Sequence, residues 1–408
     1  MTLSSDNKTN SRRVFRFSLK FLLFVFIVSC AIAAWLTNRI PHCRAVEQLE
    51  RINADITWMR EKPNWLDRQL GVWRFDRVKS VYYCGGSQTD FSMLANLNYL
   101  EDFYNYECHE IDYSPLLKHA HSIRGIHLDP FPKNPEAFFA KFPNLEHISI
   151  ARYVDLSRLK HLTKLKSVRF WARADAEFEH LSAFKELEFA DLSCTTIKST
   201  RSLANLKHLE TLILDACEQL EDVVGVEQLP ALKQLSLDGC KKIRDLSPVA
   251  ECENLESFAF SPYGDPKHIF GLKKLKMIYD VLGFIQPDNI SVLANFPSLE
   301  RLNLNWSRMK TFDGVELDLK LLGSKQKLEY LAVCRITDSD DLARFPELEK
   351  LVVYDSLIKN SKSISSLGKL KMLVFHNCEF SDTVLQELQS QQFPEGFKFS
   401  RRTPAAAK

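Results

Sequence analysis

The sequence predicts an α/β solenoid, a horseshoe with a parallel β-sheet along its concave side, and three observations predict it. A nine-residue phrase occurs twice, 23 residues apart, as LKHLETLIL (Leu206–Leu214) and LPALKQLSL (Leu229–Leu237). Its apolar skeleton, LxxLxL, recurs in both directions along the chain. The segments between copies share a DxSxLxxL pattern, as in KIRDLSPVAECENL (Lys242–Leu255) and YVDLSRLKHLTKL (Tyr153–Leu165).

The copies begin at Val78, Leu100, Ile123, Leu145, Leu165, Leu187, Leu209, Leu232, Leu255, Leu275, Leu299, Leu328, Leu348 and Leu370, about 14 repeats, mostly 20 to 24 residues apart. The interval from Leu299 to Leu328 is 29 residues and must hold an extra loop near Thr311–Ser324. A fixed period around LxxLxLxx(N/C) is the signature of a leucine-rich-repeat horseshoe. Alternation of Leu, x, Leu describes a strand with one buried face. One repeat cannot stand alone. Fixing ~22 residues costs roughly 1–2 kcal/mol each, whereas burying roughly eight apolar side chains returns about 1.5–3 kcal/mol each. Stacking on neighbours closes the gap, so the array is required. Asp or Ser ahead of a short apolar run marks a helix start, which predicts short helices or 3₁₀ turns on the convex side.

One transmembrane helix is expected ahead of the repeats. Phe21–Leu36 (FLLFVFIVSCAIAAWL) is uncharged. Its 16 residues span ~24 Å, and adding Phe17–Lys20 and Thr37–Asn38 reaches ~33 Å, enough for a ~30 Å hydrocarbon core. A retained signal anchor is the first reading. A cleaved signal peptide (Ala31-Ile32-Ala33 resembles an A-x-A site) and a lipoprotein (Ile27-Val28-Ser29-Cys30 resembles a lipid-attachment box) stay open. Basic residues precede the run, which places the N-terminus in the cytoplasm and the repeats outside, in the periplasm or on the cell surface.

The expected organisation is a short cytoplasmic tail (1–13), the anchor (14–38), an N-terminal cap (41–74), the repeats (75–380), a C-terminal cap (381–400) and a disordered tail (401–408). In the first cap Arg44–Ile52 has helical spacing, Ala54–Trp58 suits a strand and Pro63–Leu70 a short helix. Trp58, Trp65, Leu66, Leu70 and Trp73 would cover the exposed edge of the first repeat. In the second cap Asp382–Gln391 suits a helix and Phe393–Phe399 a closing strand.

The LxxLxL and DLSPxA phrases resemble the bacterial and Sds22-like leucine-rich-repeat classes with short repeats. Together with FRFSLKFLLFVFIV, AVEQLERI and PNWL, they look like a family of membrane-anchored bacterial leucine-rich-repeat proteins. The resemblance covers almost the whole chain. It implies a curved solenoid that binds a partner, usually a protein, on its concave face, and it transfers no catalytic residue. Asp280 and Asn105 stand where a strand leucine is expected, and their rungs are expected to be irregular. Cys108, Cys217, Cys240, Cys378 or Ser307 hold the inward ladder position where Asn is common.

Net charge is +2, with about +5 of it in residues 1–40. The near-neutral repeats give no case for nucleic-acid binding. The 10 cysteines include no CxxC pair, which leaves a zinc ribbon unsupported. The ladder cysteines are expected as small buried hydrophobes, and Cys217 and Cys240 as neighbours that do not bond. No nucleophile elbow, phosphate loop, HExxH or GxGxxG occurs, so the chain is expected to be no enzyme and to hold no cofactor or metal.

Residues flanking the buried pair of each strand face the concave side. The candidate partner surface is Tyr82, Tyr104, Tyr106, His127, Arg169 and Trp171, with Asp191, Asp215 and Asp238 selecting a basic feature. Aromatic residues and arginine are the usual anchors of protein interfaces. The function expected is a non-catalytic protein-interaction scaffold or receptor-like module anchored in the cell envelope. An envelope adhesin or glycan sensor, and a purely structural component, are the alternatives.

Overall fold

The computed structural model describes residues 19–59, 77–84, 90–106, 111–129, 132–150, 155–170, 177–260, 266–279, 290–304, 316–323 and 325–401. Their strands run in chain order as β1 (Asp55–Trp58), β2 (Val78–Tyr83), β3 (Asp102–Asn105), β4 (Gly125–Leu128), β5 (His147–Ile150), β6 (Ser167–Phe170), β7 (Phe189–Asp191), β8 (Thr211–Ile213) and β9 (Gln234–Leu237). They continue as β10 (Ser257–Phe260), β11 (Met277–Tyr279), β12 (Arg301–Leu304), β13 (Tyr330–Cys334), β14 (Lys350–Tyr354), β15 (Leu357–Ile358), β16 (Met372–Phe380) and β17 (Gly396–Arg401). All of them join one 17-stranded sheet.

From β2 onward each strand pairs in parallel with the next, with β15 as a short side bridge to β16 while β14 pairs with β16 directly. The register is uniform. Val81 sits opposite Phe103, Phe103 opposite Ile126, and Ile126 opposite Ile148. The same ladder passes through Leu212, Leu235 and Phe258 to Leu302, Leu331, Leu351 and Leu373. Each of these is the second apolar residue of LxxLxL. Leu209, Leu232 and Leu299 open their repeats in equivalent buried sites, none more than 1% exposed. This register and burial define a leucine-rich-repeat solenoid with a parallel sheet.

The chain leaves most described strands of the middle and C-terminal repeats through one backbone device. Cys194, Ala216, Gly239, Arg335, Asp355 and Asn377 all have φ between 46° and 75°, and each stands seven residues after the first apolar residue of its repeat. The left-handed turn aims the next side chain inward. Cys217 Sγ donates to Leu192 O at 3.1 Å and Cys240 Sγ to Leu214 O at 3.0 Å. Thr195 holds the preceding rung, its hydroxyl 2.7 Å from Leu192 O. Cys378 does the same toward Val353 O at 3.4 Å. These thiols are free. The hydrogen bond with Cys217, followed by burial, pushes the Cys240 thiol up; burial takes Cys252 to about 12 and Cys378 to about 11. Cys108, Asp280 and Ser307 lie outside the described residues.

Convex segments are mostly 3₁₀ turns, as the Asp-x-Ser spacing predicts. Ser92, Ser157 and Ser247 donate their backbone N–H to Asp90, Asp155 and Asp245 at 2.8, 3.0 and 2.8 Å. Bonds from the serine hold each aspartate below the usual carboxylate range. In the long interval, residues 305–315 lie outside the described set. Its described end carries Lys325, 1% exposed, whose ammonium donates to Leu293 O (2.5 Å) and Phe296 O (3.0 Å).

Two expectations need correction. The first is the spanning helix at 14–38. A helix runs from Leu19 to Arg51 with Pro41 inside it, but among the described residues no helix is long and apolar enough to cross a membrane. Residues 14–18 of the expected span lie outside the description. The second is the rung at Asn105, expected as irregular. It is regular: Asn105 is fully buried, and its amide donates to Tyr113 Oη (3.1 Å) and to Asp129 O (3.0 Å).

At the N-terminal edge, Ala45, Val46 and Leu49 on the end of the first helix bury against the core, and β1 pairs antiparallel with β2. Trp58 packs there too; Trp65, Leu66, Leu70 and Trp73 lie outside the described residues. At the other end Ser381 caps the helix Asp382–Gln389 through Val384 N, and β17 closes the sheet beside β16. Residues 402–408 are not described.

Candidate functional site

The concave face is built by alternation. Core residues alternate with residues that look outward, and in-register pairing lines the outward ones up across strands. On the N-terminal strands this ladder reads Tyr82, Tyr104, His127, Ser149, Arg169, Asp191. Parallel strands ~4.8 Å apart place aromatic rings on adjacent rungs at stacking distance. Tyr82 and Tyr104 stack with centroids 4.6 Å apart and planes 2° from parallel. Tyr106, 40% exposed, lies tilted over His127, centroids 4.3 Å apart.

Polar and small residues border the tyrosines. Ser80 Oγ donates to Asp102 Oδ2 at 2.8 Å. Gly125 is required on the next strand. A Cβ there would collide with the Asp102 carboxylate and lie 2.8 Å from Tyr104 Oη. Burial, reinforced by the Asp102 carboxylate, pushes the Tyr104 hydroxyl far up, and burial raises Tyr106 as well. Both stay neutral donors throughout the physiological range.

Arg169 divides the face. Its guanidinium lies 3.3 Å from Asp191 Oδ2 and over the ring of Phe189 at 5.3 Å. Beyond it Asp215 accepts from Ser236 Oγ at 2.5 Å and from Asp238 N at 3.1 Å. Burial, and after it the carboxylates of Asp238 and Asp191, raise the Asp215 carboxyl despite those bonds. Asp191 also accepts from Ser193 Oγ at 2.6 Å.

The structure thus brings together Tyr82, Tyr104, Tyr106, His127 and Arg169, and continues them into Asp191, Asp215 and Asp238. Trp171 lies outside the described residues. One residue changes role. His127, expected on the surface, is only 2% exposed and lies beneath Tyr106. Burial depresses its imidazole to about 4, so it supports the tyrosine as a neutral ring.

Sequence reasoning missed a second ladder. The residue after the first apolar position is charged in all 14 copies, from Lys79, Glu101, Arg124, Glu146 and Lys166 to Lys371. Signs mostly alternate between neighbours. Arg124 bridges Glu101 (3.4 Å) and Glu146, and Lys166 reaches Glu146 at 3.3 Å. Lys233–Glu210 (2.8 Å), Lys276–Glu256 (2.9 Å) and Lys371–Glu349 (2.7 Å) continue the rim. The signal lay in plain periodicity, at a position outside the apolar skeleton. Among the described residues no group of His, Cys, Asp and Glu is placed to hold a metal ion.

No protein-family model matches this chain, and no curated protein does. Solved structures resemble it. An internalin of Listeria monocytogenes is 18% identical, covering 82% of this chain and 92% of its own, with a TM-score of 0.44. A leucine-rich-repeat protein of Leptospira interrogans is 17% identical, covering 76% and 79%, with a TM-score of 0.45. A plant peptide hormone receptor in complex with its hormone is 11% identical over 74% of this chain and 51% of its own, with a TM-score of 0.40. Likeness at this level is weak; the fold assignment rests on the strand register. By that register the chain has the fold of a leucine-rich-repeat solenoid.

Proposed function

We propose that this chain is a non-catalytic interaction module that binds a partner protein on the N-terminal part of its concave face. The observation that carries this reading is the platform of Tyr82, Tyr104 and Tyr106, preorganised by ring stacking and by the buried His127. Tyrosines whose rings are already ordered lose little entropy on binding and offer large contact area. Envelope placement, with the repeats outside, belongs to the same proposal and rests on the basic residues ahead of the uncharged run in the sequence alone, not on a spanning helix. A glycan-binding role draws less support. Sugars stack on open ring faces, and here Tyr82 and Tyr104 cover one face of each other.

The test is photo-crosslinking in cells from a benzoylphenylalanine placed at Tyr106, compared with one at the convex Lys273. A discrete adduct from the first position alone is expected. Equal adducts from both, or none from Tyr106, would refute the site.

A further inference from the structure

The tyrosine platform has a counterpart at the opposite end of the concave face. Tyr354 on β14 and His376 on β16 are paired directly, and their rings stack with centroids 4.8 Å apart and planes 15° from parallel. On β12 and β13 a second in-register pair, Arg301 and Tyr330, sets a guanidinium over a ring at 4.6 Å. Between these two pairs runs a lower row of small apolar side chains, Ala332, Val352 and Val374. Charge here has one sign. Along the in-register rungs of β12, β13, β14, β16 and β17 the outward residues include Arg301, Lys350 and Lys398 and no carboxylate. Lys350 is answered by Glu395 at 2.7 Å. Arg301 and Lys398 make no ion pair among the described residues. A guanidinium already held flat on a ring has little rotamer freedom left to lose, and its edge still presents paired donors to a carboxylate. The rim glutamates Glu300, Glu329 and Glu349 each stand one residue before these strands. They repel an anion from that edge and leave the rungs as its place.

We propose that the concave face across β12 to β17 seats an acidic, extended segment of a separate polypeptide, which crosses the strands with one carboxylate on Arg301, one on Lys398 and aliphatic side chains over Val352 and the Tyr354–His376 stack. The seat lies at the other end of the sheet from Tyr82 and Tyr104 and does not depend on them. Four strand spacings of ~4.8 Å separate Arg301 from Lys398, roughly 19 Å. Seven extended residues set their first and last side chains on one face at about that separation. The segment therefore carries acidic residues at both ends of a heptad whose inward positions between them are apolar.

The test uses a fluorescein-labelled heptapeptide with glutamate at both ends, leucine at the third and fifth positions and serine elsewhere. Its counterpart has lysine for glutamate, and fluorescence anisotropy is read at low and high salt. The Glu peptide is expected to bind, to weaken with salt, and to lose about fivefold in affinity on Arg301→Gln with Lys398→Gln. Lys273→Gln, on the convex side, should leave binding unchanged, and so should the change of Tyr82, Tyr104 and Tyr106 to Ala. Thermal melting confirms that the variants are folded. No binding of the Glu peptide, equal binding of the Lys peptide, or indifference to the Gln pair overturns the proposal. Loss of binding in the folded tyrosine variant also overturns it, by placing the peptide on the other platform. Concentration-dependent dimers in light scattering that the Gln pair abolishes would overturn it too, by making a second copy the occupant. If the Glu peptide fails while the Tyr106 crosslink persists, the tyrosine platform stands and the second seat does not.

Discussion

Tyr82 lies flat on Tyr104, ring centroids 4.6 Å apart, on adjacent strands that pair these two residues directly. The distance is the strand spacing itself. A pair of rings that would be mobile on a loop is fixed by the same hydrogen-bonded register that builds the core. The solenoid therefore supplies a rigid aromatic surface without any device beyond its repeat.

That register gives Asn105 its meaning. Leucine is the residue the repeat calls for, so Asn105→Leu looks like a repair. The buried amide serves Tyr113 Oη and Asp129 O, and a leucine would leave both without it. Denaturant unfolding should show Asn105→Leu less stable by about 2 kcal/mol.

The turn after each strand predicts a contrast between neighbours. Ala216 holds φ 56° and Gly239 φ 75° at equivalent positions. A left-handed residue with a Cβ costs about 1–2 kcal/mol. Ala216→Gly should raise stability by about 1 kcal/mol. Gly239→Ala should lower it by at least as much, since its Cβ would lie 3.1 Å from the Ala216 Cα. Paired thermal melts check the opposite signs.

His127 predicts an acid-side loss of stability. The unfolded imidazole takes its proton near pH 6.5, the folded one only near 4. Between those values the unfolded chain binds the extra proton, so the folded state weakens as pH falls from 6.5 toward 4. The total is about 3 kcal/mol. His127→Gln should flatten that part of the stability–pH curve relative to wild type.

Lys325 predicts the mirror case on the alkaline side. Burial lowers its folded value to about 8 from 10.5. Between those values the unfolded chain holds a proton the folded one has shed, so stability rises with pH from 8 to 10.5, by about 3 kcal/mol in all. Lys325→Met should remove this rise, measured as the difference from wild type in urea titrations.

The period of Leu209, Leu232 and Leu299 was legible because it is a local spacing, and each strand's inward face follows from it. The identity of concave residues was legible for the same reason. What could not be read was burial on that face. His127 follows the outward alternation, yet Tyr106 from the adjacent strand covers it, a contact 21 residues away in sequence. Lys325 reads as a solvated loop charge, and only its neighbours' carbonyls explain its burial. Asn105 looked like a defect because its partners lie outside its strand, Tyr113 eight residues on in the same repeat and Asp129 24 residues on in the next.

The central claim is that the tyrosine platform holds the partner. The measurement that tests it most directly is affinity capture with wild type and with Tyr82, Tyr104 and Tyr106 all changed to Ala, each shown by melting to be folded. The account predicts that at least one protein abundant in the wild-type capture falls to background in the variant. Undiminished recovery of every captured protein by the folded variant would contradict it.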